Sequence, residues 1–255
     1  MPGLVLLVDH SDLSRIIFHA LAAEFQIDIV IREARVRRLA LLAKRLKRLG
    51  WSTTIGQVMF IAFVLPWLRW ESRRRRAEIL FLYGVDDSSI PLKDIVDVTS
   101  ANDDNTVALL RSLSPKVIVV SGTRILEEKM LNATEAILLN THVGITPLYR
   151  GVHGGYWALA SADPENCGTT IHKIDKGIDT GDIAAQITVP PTNTDNFATY
   201  PLLQIAAALP LLKKAVRDAL NGTLMTFPAD PDRSKLWSHP TAFQYLKTRL
   251  SRGVR

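Results

Sequence analysis

The stretch PKVIVVSGTRILEEKMLNATEAILLNTH, residues 115–142, contains two short apolar runs that each end on small or polar side chains. Residues 117–120 run directly into Ser121-Gly122, and residues 136–139 run directly into Asn140. Such runs are typical of strands buried on both faces of a parallel sheet. Ligands in these sheets bind at the carboxyl ends of the strands. We therefore expect a functional site beside Gly122 and Asn140.

The alternation of short apolar runs with helical periodicity continues along the chain. It is typical of the α/β class, and we predict an open, doubly wound (Rossmann-like), mostly parallel sheet with an inserted helical segment and a C-terminal helix. Pro210 is expected to kink that last helix or split it in two. The predicted strands are residues 4–8, 27–31, 79–83, 95–98, 117–120, 136–139 and 183–189, and the predicted helices include residues 14–25, 105–113 and 200–220.

Length and composition predict one folded domain. With 255 residues, of which 47% are hydrophobic, the chain can bury one substantial core. We expect residues 1–255 to form a single domain, with a basic and apolar helical insertion at about residues 33–78 and a helical extension at about residues 198–255.

The positive charge is concentrated in one segment. Residues 32–76 contain 13 Lys and Arg against two acidic residues, whereas the rest of the chain contains 18 against 23. Because the net charge of +6 belongs to this segment, we expect no nucleic-acid partner. Cys167 is the only cysteine, which fits a reducing compartment, and no signal peptide is recognised. The predicted location is the cytoplasm, and the alternative is a peripheral position at the inner face of the membrane.

Three polar residues form the candidate catalytic group. Asn140 and His142 are two residues apart, so on a strand both side chains point to one face. An amide beside an imidazole can polarise a carbonyl group and stabilise the oxyanion that forms when the carbonyl is attacked. Asp179 lies between Gly177 and Gly181 in a predicted tight turn, from which a carboxylate can orient the imidazole or relay a proton.

The same residues also have other interpretations. An Asn-x-His pair is common, a Gly-flanked Asp is usually only a turn, and a single His is more often structural than catalytic. His142, His153 and Asp179 could be the ligands of a metal hydrolase, but no His-Glu-x-x-His motif supports this, and we predict no metal. A serine hydrolase would need a Gly-x-Ser-x-Gly motif, which the sequence lacks.

Several linked motifs within residues 115–189 together resemble the core of the folate-dependent formyltransferase family. Their order along the chain makes the resemblance more specific than any single motif. The motifs are Ser121-Gly122-Thr123-Arg124-Ile125-Leu126, Leu139-Asn140-Thr141-His142-Val143-Gly144, Pro147-Leu148-Tyr149-Arg150-Gly151, Gly168-Thr169-Thr170-Ile171-His172 and Gly177-Ile178-Asp179-Thr180-Gly181.

The resemblance implies formyltetrahydrofolate as the formyl donor and a primary amine as the acceptor. In the family's pattern, the residues that match Asn140 and His142 stabilise the oxyanion, and the residue that matches Asp179 assists proton transfer and orients the imidazole. A glycine- and proline-punctuated loop at residues 144–151 is expected to cover the pocket. The resemblance places the pterin against Arg124, Ile125, Leu126, Asp175, Gly177 and Ile178, and we expect the acceptor to contact Tyr149, Arg150, Gly151 and His153.

The family's members differ in their acceptors and include methionyl-tRNA formyltransferase, glycinamide ribonucleotide transformylase and the sugar N-formyltransferases. The tRNA enzyme carries a β-barrel domain after the core, for which the tail of this chain is too short. The purine enzyme opens with a glycine-rich phosphate loop, and residues 7–12 contain no glycine. We therefore predict a nucleotide-linked amino sugar as the acceptor. The alternatives are a glycinamide ribonucleotide-like, aminoacyl-tRNA-like or lipid-linked amine, or a catalytically inactive membrane-surface protein on this scaffold. A monomer and a homo-oligomer both stay open.

The basic segment is amphipathic. Apolar and basic residues alternate at helical spacing in residues 35–49, and three of the five tryptophans flank an apolar run at residues 58–68. That run is shorter than the roughly 20 residues that cross a bilayer. Residues 35–76 are expected either to pack on the domain or a partner subunit, with the arginines solvated or holding a diphosphate, or to lie on an anionic membrane surface. Packing is the favoured interpretation.

Overall fold

The computed structural model describes residues 3–36, 38–230 and 233–255. Within these ranges the strands form one seven-stranded and one two-stranded sheet. The strands are β1 (Leu4–Val8), β2 (Ile29–Glu33), β3 (Ile95–Val98), β4 (Val117–Ser121), β5 (Ile137–His142), β6 (Arg150–Gly151), β7 (Gly168–Lys173), β8 (Ile183–Thr188) and β9 (Leu236–Trp237).

The larger sheet has the strand order β3-β2-β1-β4-β5-β7-β8. The five strands from β3 to β5 pair in parallel, and β7 and β8 extend the sheet as antiparallel neighbours of β5. The chain order reverses between β1 and β4, and doubly wound sheets bind ligands at such a switch point. The predicted α/β fold class is confirmed.

Helices cover both faces of the sheet. Side chains alternate along β1, so Leu6 packs in the core with α1 and α8, and Leu7 packs on the opposite face with α5. The helices are α1 (Asp12–Ala22), α2 (Arg38–Met59), α3 (Leu65–Glu71), α4 (Arg73–Tyr83), α5 (Asp104–Leu113), α6 (Glu128–Leu131), α7 (Gly154–Ala160), α8 (Tyr200–Leu220) and α9 (Ala242–Arg252).

The helix α8 continues through Pro210, so the split considered for this helix does not occur. Pro210 itself is exposed, while Leu209 and Leu212 on either side of it are buried in the core. Because the apolar face stays buried on both sides of the proline, packing compensates for the missing backbone hydrogen bond.

A helical segment of residues 38–83 leaves the sheet between β2 and β3. It consists of α2, a π-helical turn at Phe60–Val64, α3 and α4, with a backbone break at Gly50, whose φ is 76°. The strand predicted at residues 79–83 is wrong, because these residues continue α4 until Gly84 ends it in a left-handed conformation.

Part of this segment also passes the length and composition test for crossing a membrane. Among the described residues, one helical stretch does so: Arg45–Glu71 spans 27 residues with a mean hydropathy of 1.4, and 17% of its most apolar window is buried. The expectation that the region is too short to cross a bilayer rested on the apolar run alone, and the helix extends beyond that run. Arg37 and the side chains of Leu39 and Lys44, which belong to the predicted amphipathic helix, lie outside the described residues.

The residues after α8 return to the sheet and to the helical segment. β9 pairs in parallel with β6, and α9 packs on α2 and on the π-helical turn. Tyr245 of α9 is fully buried, with its ring centroid 5.3 Å from that of Phe60. The contact is close: a Cβ atom on Gly56 would lie 2.7 Å from that of Thr241. The tail therefore ties the helical segment to the side of the molecule that carries β6.

Candidate active site

A cleft of about 660 Å³ lies at the carboxyl ends of β1, β4 and β5. Gly122 and Asn140 line it, at the edge of the sheet where the sequence predicts a site. Gly122 has a φ of 73°, and a Cβ atom there would collide with the carboxylate of Asp9. A glycine therefore allows the loop after β4 to pass close to the loop after β1.

The strand β5 brings Asn140 and His142 to the cleft. His142 is almost fully buried, and its Nε2 donates a hydrogen bond to the backbone carbonyl of Tyr149 at 2.7 Å. This bond leaves Nδ1 facing Asp179, 3.4 Å from Oδ2. Gly144 makes the arrangement possible, because a Cβ atom there would lie 2.4 Å from the carbonyl oxygen of Tyr149 and 2.6 Å from Nε2 of His142.

Asp179 lies in the turn between β7 and β8. Its φ of 51° is unfavourable for a residue other than glycine, and strain of this kind is concentrated at functional sites. Oδ2 accepts a hydrogen bond from the backbone N–H of Gly151 at 2.9 Å, and Oδ1 lies 3.4 Å from Nδ2 of Asn140. Asp175 supports the turn by accepting the N–H of Gly177 at 3.0 Å. The turn and the β6 strand thus hold the carboxylate against the polar edge of β5.

His172 completes the group, although no role was predicted for it from the sequence. On β7 it pairs with Asn140 across the sheet, and its Nδ1 donates to the carbonyl of Lys173 at 2.7 Å. In the neutral ring, Nε2 then accepts a hydrogen bond from Nδ2 of Asn140 at 3.1 Å. The same Nε2 lies 3.5 Å from Oδ1 of Asp179. We refer to Asn140, His142, His172 and Asp179 as the catalytic cluster, after the three candidate catalytic residues that it contains.

Burial disfavours the charged forms of Asp179 and His142, and the two groups respond differently. For Asp179, burial alone would raise the pKa of the carboxyl. The two imidazoles and the N–H of Gly151 outweigh burial and lower this pKa to about 2. For His142, burial outweighs the attraction of Asp179, and the pKa lies below its usual value. The cluster therefore places a carboxylate beside a neutral imidazole, which can take up a proton from an attacking amine.

The six residues predicted to contact the pterin all line this cleft. Arg124 does not offer a free guanidinium, because its Nη1 donates to Oε1 of Glu33 at 3.1 Å and to the carbonyl of Thr99 at 3.0 Å. These bonds fix the position of the loop, and the next side chain, Ile125, is 61% exposed. The lining residues concerned are Arg124, Ile125, Leu126, Asp175, Gly177 and Ile178.

The four residues predicted to contact the acceptor are placed differently from one another. Gly151 lines the cleft, whereas the phenol of Tyr149 donates to Asp163 at 2.8 Å and its ring stacks on Trp237. Arg150 donates to the carbonyl of Ile178 at 2.8 Å and so braces the turn. His153 is hydrogen-bonded to His239, with 2.9 Å between Nε2 and Nδ1. The structure thus brings Gly151 to the cleft and gives the other three positions contacts within the protein.

One wall of the cleft comes from regions to which the sequence assigned no site residue. Arg45, Arg48 and Gln57 of α2 line it together with His239 of the tail. Within the described residues, no acidic side chain pairs with either arginine. Burial and then the charge of Arg48 lower the pKa of Arg45, and burial and then Arg45 lower the pKa of His239 to about 4. The wall is therefore positive through the two arginines.

No group of three or more His, Cys, Asp and Glu side chains is arranged to hold a metal ion in residues 3–36, 38–230 and 233–255. The metal-hydrolase interpretation of His142, His153 and Asp179 therefore gains no support. His153 instead packs against His239 and Phe197.

Comparison with known families identifies the chain. Residues 75–201 match the family model described as formyl transferase, and the match includes the whole catalytic cluster. The chain belongs to the formyl transferase family. The resemblance seen in the sequence motifs is confirmed, and the part of this formyl transferase that precedes residue 75, including α2 and α3, lies outside the match.

The related proteins include several kinds of formyltransferase. The methionyl-tRNA formyltransferase of Anaeromyxobacter dehalogenans strain 2CP-C is 29% identical over 143 residues, which are 56% of this chain and 46% of that protein. The chain thus spans about half the length of this curated relative. An N-formyltransferase of Helicobacter canadensis, solved with folinic acid and dTDP-3-aminofucose, has a TM-score of 0.58 at 18% identity, covering 93% and 71% of the two chains. Phosphoribosylglycinamide formyltransferase of Streptococcus pneumoniae TIGR4 has a TM-score of 0.55 at 20% identity, covering 87% and 99%. The two structural similarities, at 18% and 20% identity, show that these proteins share the fold of this chain.

Proposed function

We propose that this protein transfers a formyl group from formyltetrahydrofolate to a primary amine. The observation that carries the proposal is the convergence of Asn140, His142 and Asp179 in one cleft open to solvent. Family membership supports the same reaction class, and the solved relative from Helicobacter canadensis contains folinic acid. An inactive scaffold would not need a carboxylate, an amide and an imidazole held together in an accessible cleft.

The geometry suggests how the reaction proceeds. The amine nitrogen of the acceptor attacks the formyl carbon, a new C–N bond forms, and the formyl oxygen takes up negative charge. We assign Asn140 as the donor to that oxygen, which would replace the long 3.4 Å contact of its Nδ2 with Asp179. Nδ1 of His142 faces Asp179 and is free to accept the proton that the amine loses, since Nε2 is already protonated towards Tyr149. Return of that proton to the folate nitrogen accompanies cleavage of the original C–N bond and releases tetrahydrofolate.

The carboxylate of Asp179 acts through the imidazole. With a pKa of about 2 it stays ionised at neutral pH, so its negative charge stabilises the imidazolium that forms when His142 accepts a proton. The N–H of Gly151 and the turn around Asp175 keep it in place. Formyltetrahydrofolate would lie with its pterin along two loops that line the cleft: the loop with Arg124 after β4 and the loop with Gly177 between β7 and β8.

For the acceptor we propose an amine that carries phosphate, in the first place a nucleotide-linked amino sugar. Arg45 and Arg48 support this, because two guanidinium groups in a cleft, with no acidic partner in the part of the chain that the structure describes, match a phosphate or diphosphate. The relative from Helicobacter canadensis was solved with such a sugar nucleotide, whereas other relatives act on glycinamide ribonucleotide or methionyl-tRNA by name. A lipid-linked amino sugar has the same phosphate chemistry. The enzyme would work in the cytoplasm, where folates and nucleotide sugars occur.

A mass-spectrometric screen tests the reaction. Purified protein is incubated with formyltetrahydrofolate and with amino sugars, nucleotide-linked amino sugars, lipid-linked amino sugars and glycinamide ribonucleotide. We expect a mass gain of one formyl group on a phosphate-bearing amino sugar, and no gain with the His142→Ala variant. If no amine is formylated and the protein does not bind formyltetrahydrofolate, the proposed function is wrong.

A further inference from the structure

The helical segment presents a row of large apolar side chains to solvent. They recur every four residues, which keeps them near one side of an α-helix, and the π-helical turn in the middle rotates less per residue and so reduces the drift of the row. Soluble proteins rarely expose so much contiguous apolar surface without a partner. The row consists of Trp51, Ile55, Met59, Phe63 and Trp67, which are 73%, 53%, 50%, 72% and 44% exposed.

The opposite side of the same helix is attached to the domain. Gln57 is buried and donates to the carbonyl of His239 at 2.7 Å. Phe60 and Leu68 are fully buried in a cluster with Phe197 and Tyr245. These contacts run along the length of the helix, so the helix lies flat on the protein. A helix anchored in this way can lie in the plane of a membrane surface but cannot cross the bilayer without leaving its core contacts.

The C-terminal helix α9 widens the apolar surface. Its Tyr245 packs inward, whereas Phe243, Leu246 and Leu250 are 74%, 49% and 86% exposed. The guanidinium of Arg249 lies 4.9 Å from the ring centroid of Trp67, which places the exposed side of α9 next to the end of the row. We define the docking face as Trp51, Ile55, Met59, Phe63 and Trp67 of the helical segment with Phe243, Leu246 and Leu250 of α9.

Basic side chains flank this face along the chain, and Arg249 contacts it directly. Of the two acidic residues of the helical segment, Glu71 pairs with Arg255 at 2.5 Å, and Glu78 contacts Arg75 at 3.1 Å, an arginine that also pairs with Asp195. The helix α9 contains three basic residues and no acidic one. Among the described residues, no ion pair is formed by Lys47, Arg69, Arg73, Arg74 or Lys247. An apolar face within a positive rim is complementary to an anionic lipid surface.

We propose that the docking face binds the surface of a membrane that contains anionic phospholipid, with the helical segment in the plane of the interface. Tryptophan and long basic side chains are the residue types that favour the interface between the lipid headgroups and the acyl chains. A second copy of the chain fits the face less well, because a symmetric contact would oppose one positive rim to another. The proposal rests on surface chemistry and does not depend on the formyl-transfer reaction.

Vesicle binding of the unmodified protein is the first test. Co-sedimentation is compared for vesicles of phosphatidylcholine alone and of phosphatidylcholine mixed with phosphatidylglycerol. We expect binding to the mixed vesicles that weakens as salt rises, because the contribution of the rim is screened. Brominated acyl chains should quench the tryptophan fluorescence, since Trp51 and Trp67 enter the interface. Failure to bind the mixed vesicles at low salt would overturn the proposal.

Matched variants then locate the binding surface. Trp51→Ser/Phe63→Ser removes two side chains of the docking face, and Leu92→Ser/Met225→Ser removes two apolar side chains that are at least as exposed but lie elsewhere. We expect the first variant to lose at least about tenfold in vesicle affinity and the second to bind like the unmodified protein. Equal losses in both, or none in either, would contradict the docking face.

The charge of the rim has its own test. Arg73→Gln/Arg74→Gln should weaken binding to the mixed vesicles by about fivefold for each charge removed. Light scattering of all variants in solution addresses the competing occupant. If the unmodified protein is a dimer that Trp51→Ser/Phe63→Ser converts to a monomer, and vesicles are not bound, then the face is a subunit interface and the membrane proposal fails.

Discussion

The catalytic cluster and the docking face differ in how far their side chains contact the rest of the protein. In the cluster, Asn140, His142 and Asp179 are each held by hydrogen bonds or ion contacts inside the protein. On the docking face, side chains as large as Trp51 and Phe63 project into solvent with more than 70% of their surface exposed. The first arrangement fixes groups for chemistry, and the second leaves apolar surface available for a partner.

The family match covers the first of these regions and not the second. Residues 75–201 contain the whole catalytic cluster, whereas α2, α3 and α9 lie outside, as do β1, α1 and β2 of the large sheet. The reaction type therefore belongs to the shared core. Arg45 and Arg48 connect the two regions, because they belong to the helical segment but line the cleft. Under the two proposals above, α2 contributes to acceptor binding, and the helical segment with α9 contributes to membrane binding.

The largest expected effect concerns the charge at the centre of the cluster. Asp179→Asn keeps the size of the side chain but removes the charge that stabilises the imidazolium of His142, so turnover should fall by a factor on the order of 10²–10³. Asp182→Asn, three residues later in the same turn, should leave turnover near normal. Steady-state kinetics on an accepted amine checks both. Equal rates for the two variants would remove Asp179 from the mechanism.

The same carboxyl should affect stability at acid pH. Its folded pKa of about 2 is below the ordinary value of 3.8, so its contribution is present above pH 3.8 and is lost as the pH falls towards 2. The shift corresponds to about 2 kcal/mol of unfolding free energy. Denaturant titrations across this range should show a decline that is smaller by this amount in Asp179→Asn. An unchanged pH profile in the variant would mean that the charge of Asp179 does not stabilise the fold.

A smaller effect is expected where the two regions meet. Arg45→Gln/Arg48→Gln should raise KM for a phosphate-bearing acceptor by about tenfold while kcat changes little, because these side chains bind a group that does not react. Lys47→Gln, an exposed position between the two, serves as the matched control. If KM rises equally in the control and the double variant, the two arginines contribute only to the overall positive electrostatic potential of the helical segment.

The smallest effect is expected from the docking face in solution. Trp51→Ser/Phe63→Ser should change the free energy of unfolding by less than about 0.5 kcal/mol, since exposed side chains contribute little to packing. Phe60→Ala on the buried side of the same helix should destabilise by about 3–5 kcal/mol. Chemical denaturation of both variants makes the comparison. A large loss of stability in the double variant would show that this side is packed.

Sequence patterns predicted the sheet better than the helical segment. Strands such as β4 and β5 are recognisable as short runs of apolar, mostly buried residues that end on polar side chains. The run at residues 79–83 has the same apolar character, but its length does not distinguish a strand from the end of a helix. In the structure these residues form one helix, α4, with the arginines that precede them. The helical turn buries Ile79 and exposes Phe81.

The candidate site shows a similar limit. Asn140 and His142 could be paired from their spacing on one strand, and Asp179 from its glycine-flanked turn. His172 depends on the antiparallel pairing of β5 with β7, and His239 on the return of the tail to β6. Contacts of this kind join residues far apart in the chain and leave no periodic signal. The positive wall was visible as charge in the sequence, but its position in the cleft required the fold.

The most direct test of the formyl-transfer account pairs two measurements on His142→Ala. Calorimetry with folinic acid reports donor binding, and turnover on an accepted amine reports the chemical step. Because Nδ1 of His142 is proposed to act on the proton that moves during attack, the loss should appear mainly in turnover. We predict a fall on the order of 10²–10³ in rate with folate affinity within about threefold of the unmodified protein. Near-normal turnover would contradict the account, and His172, the other imidazole that lines the cleft, would be the next residue to test.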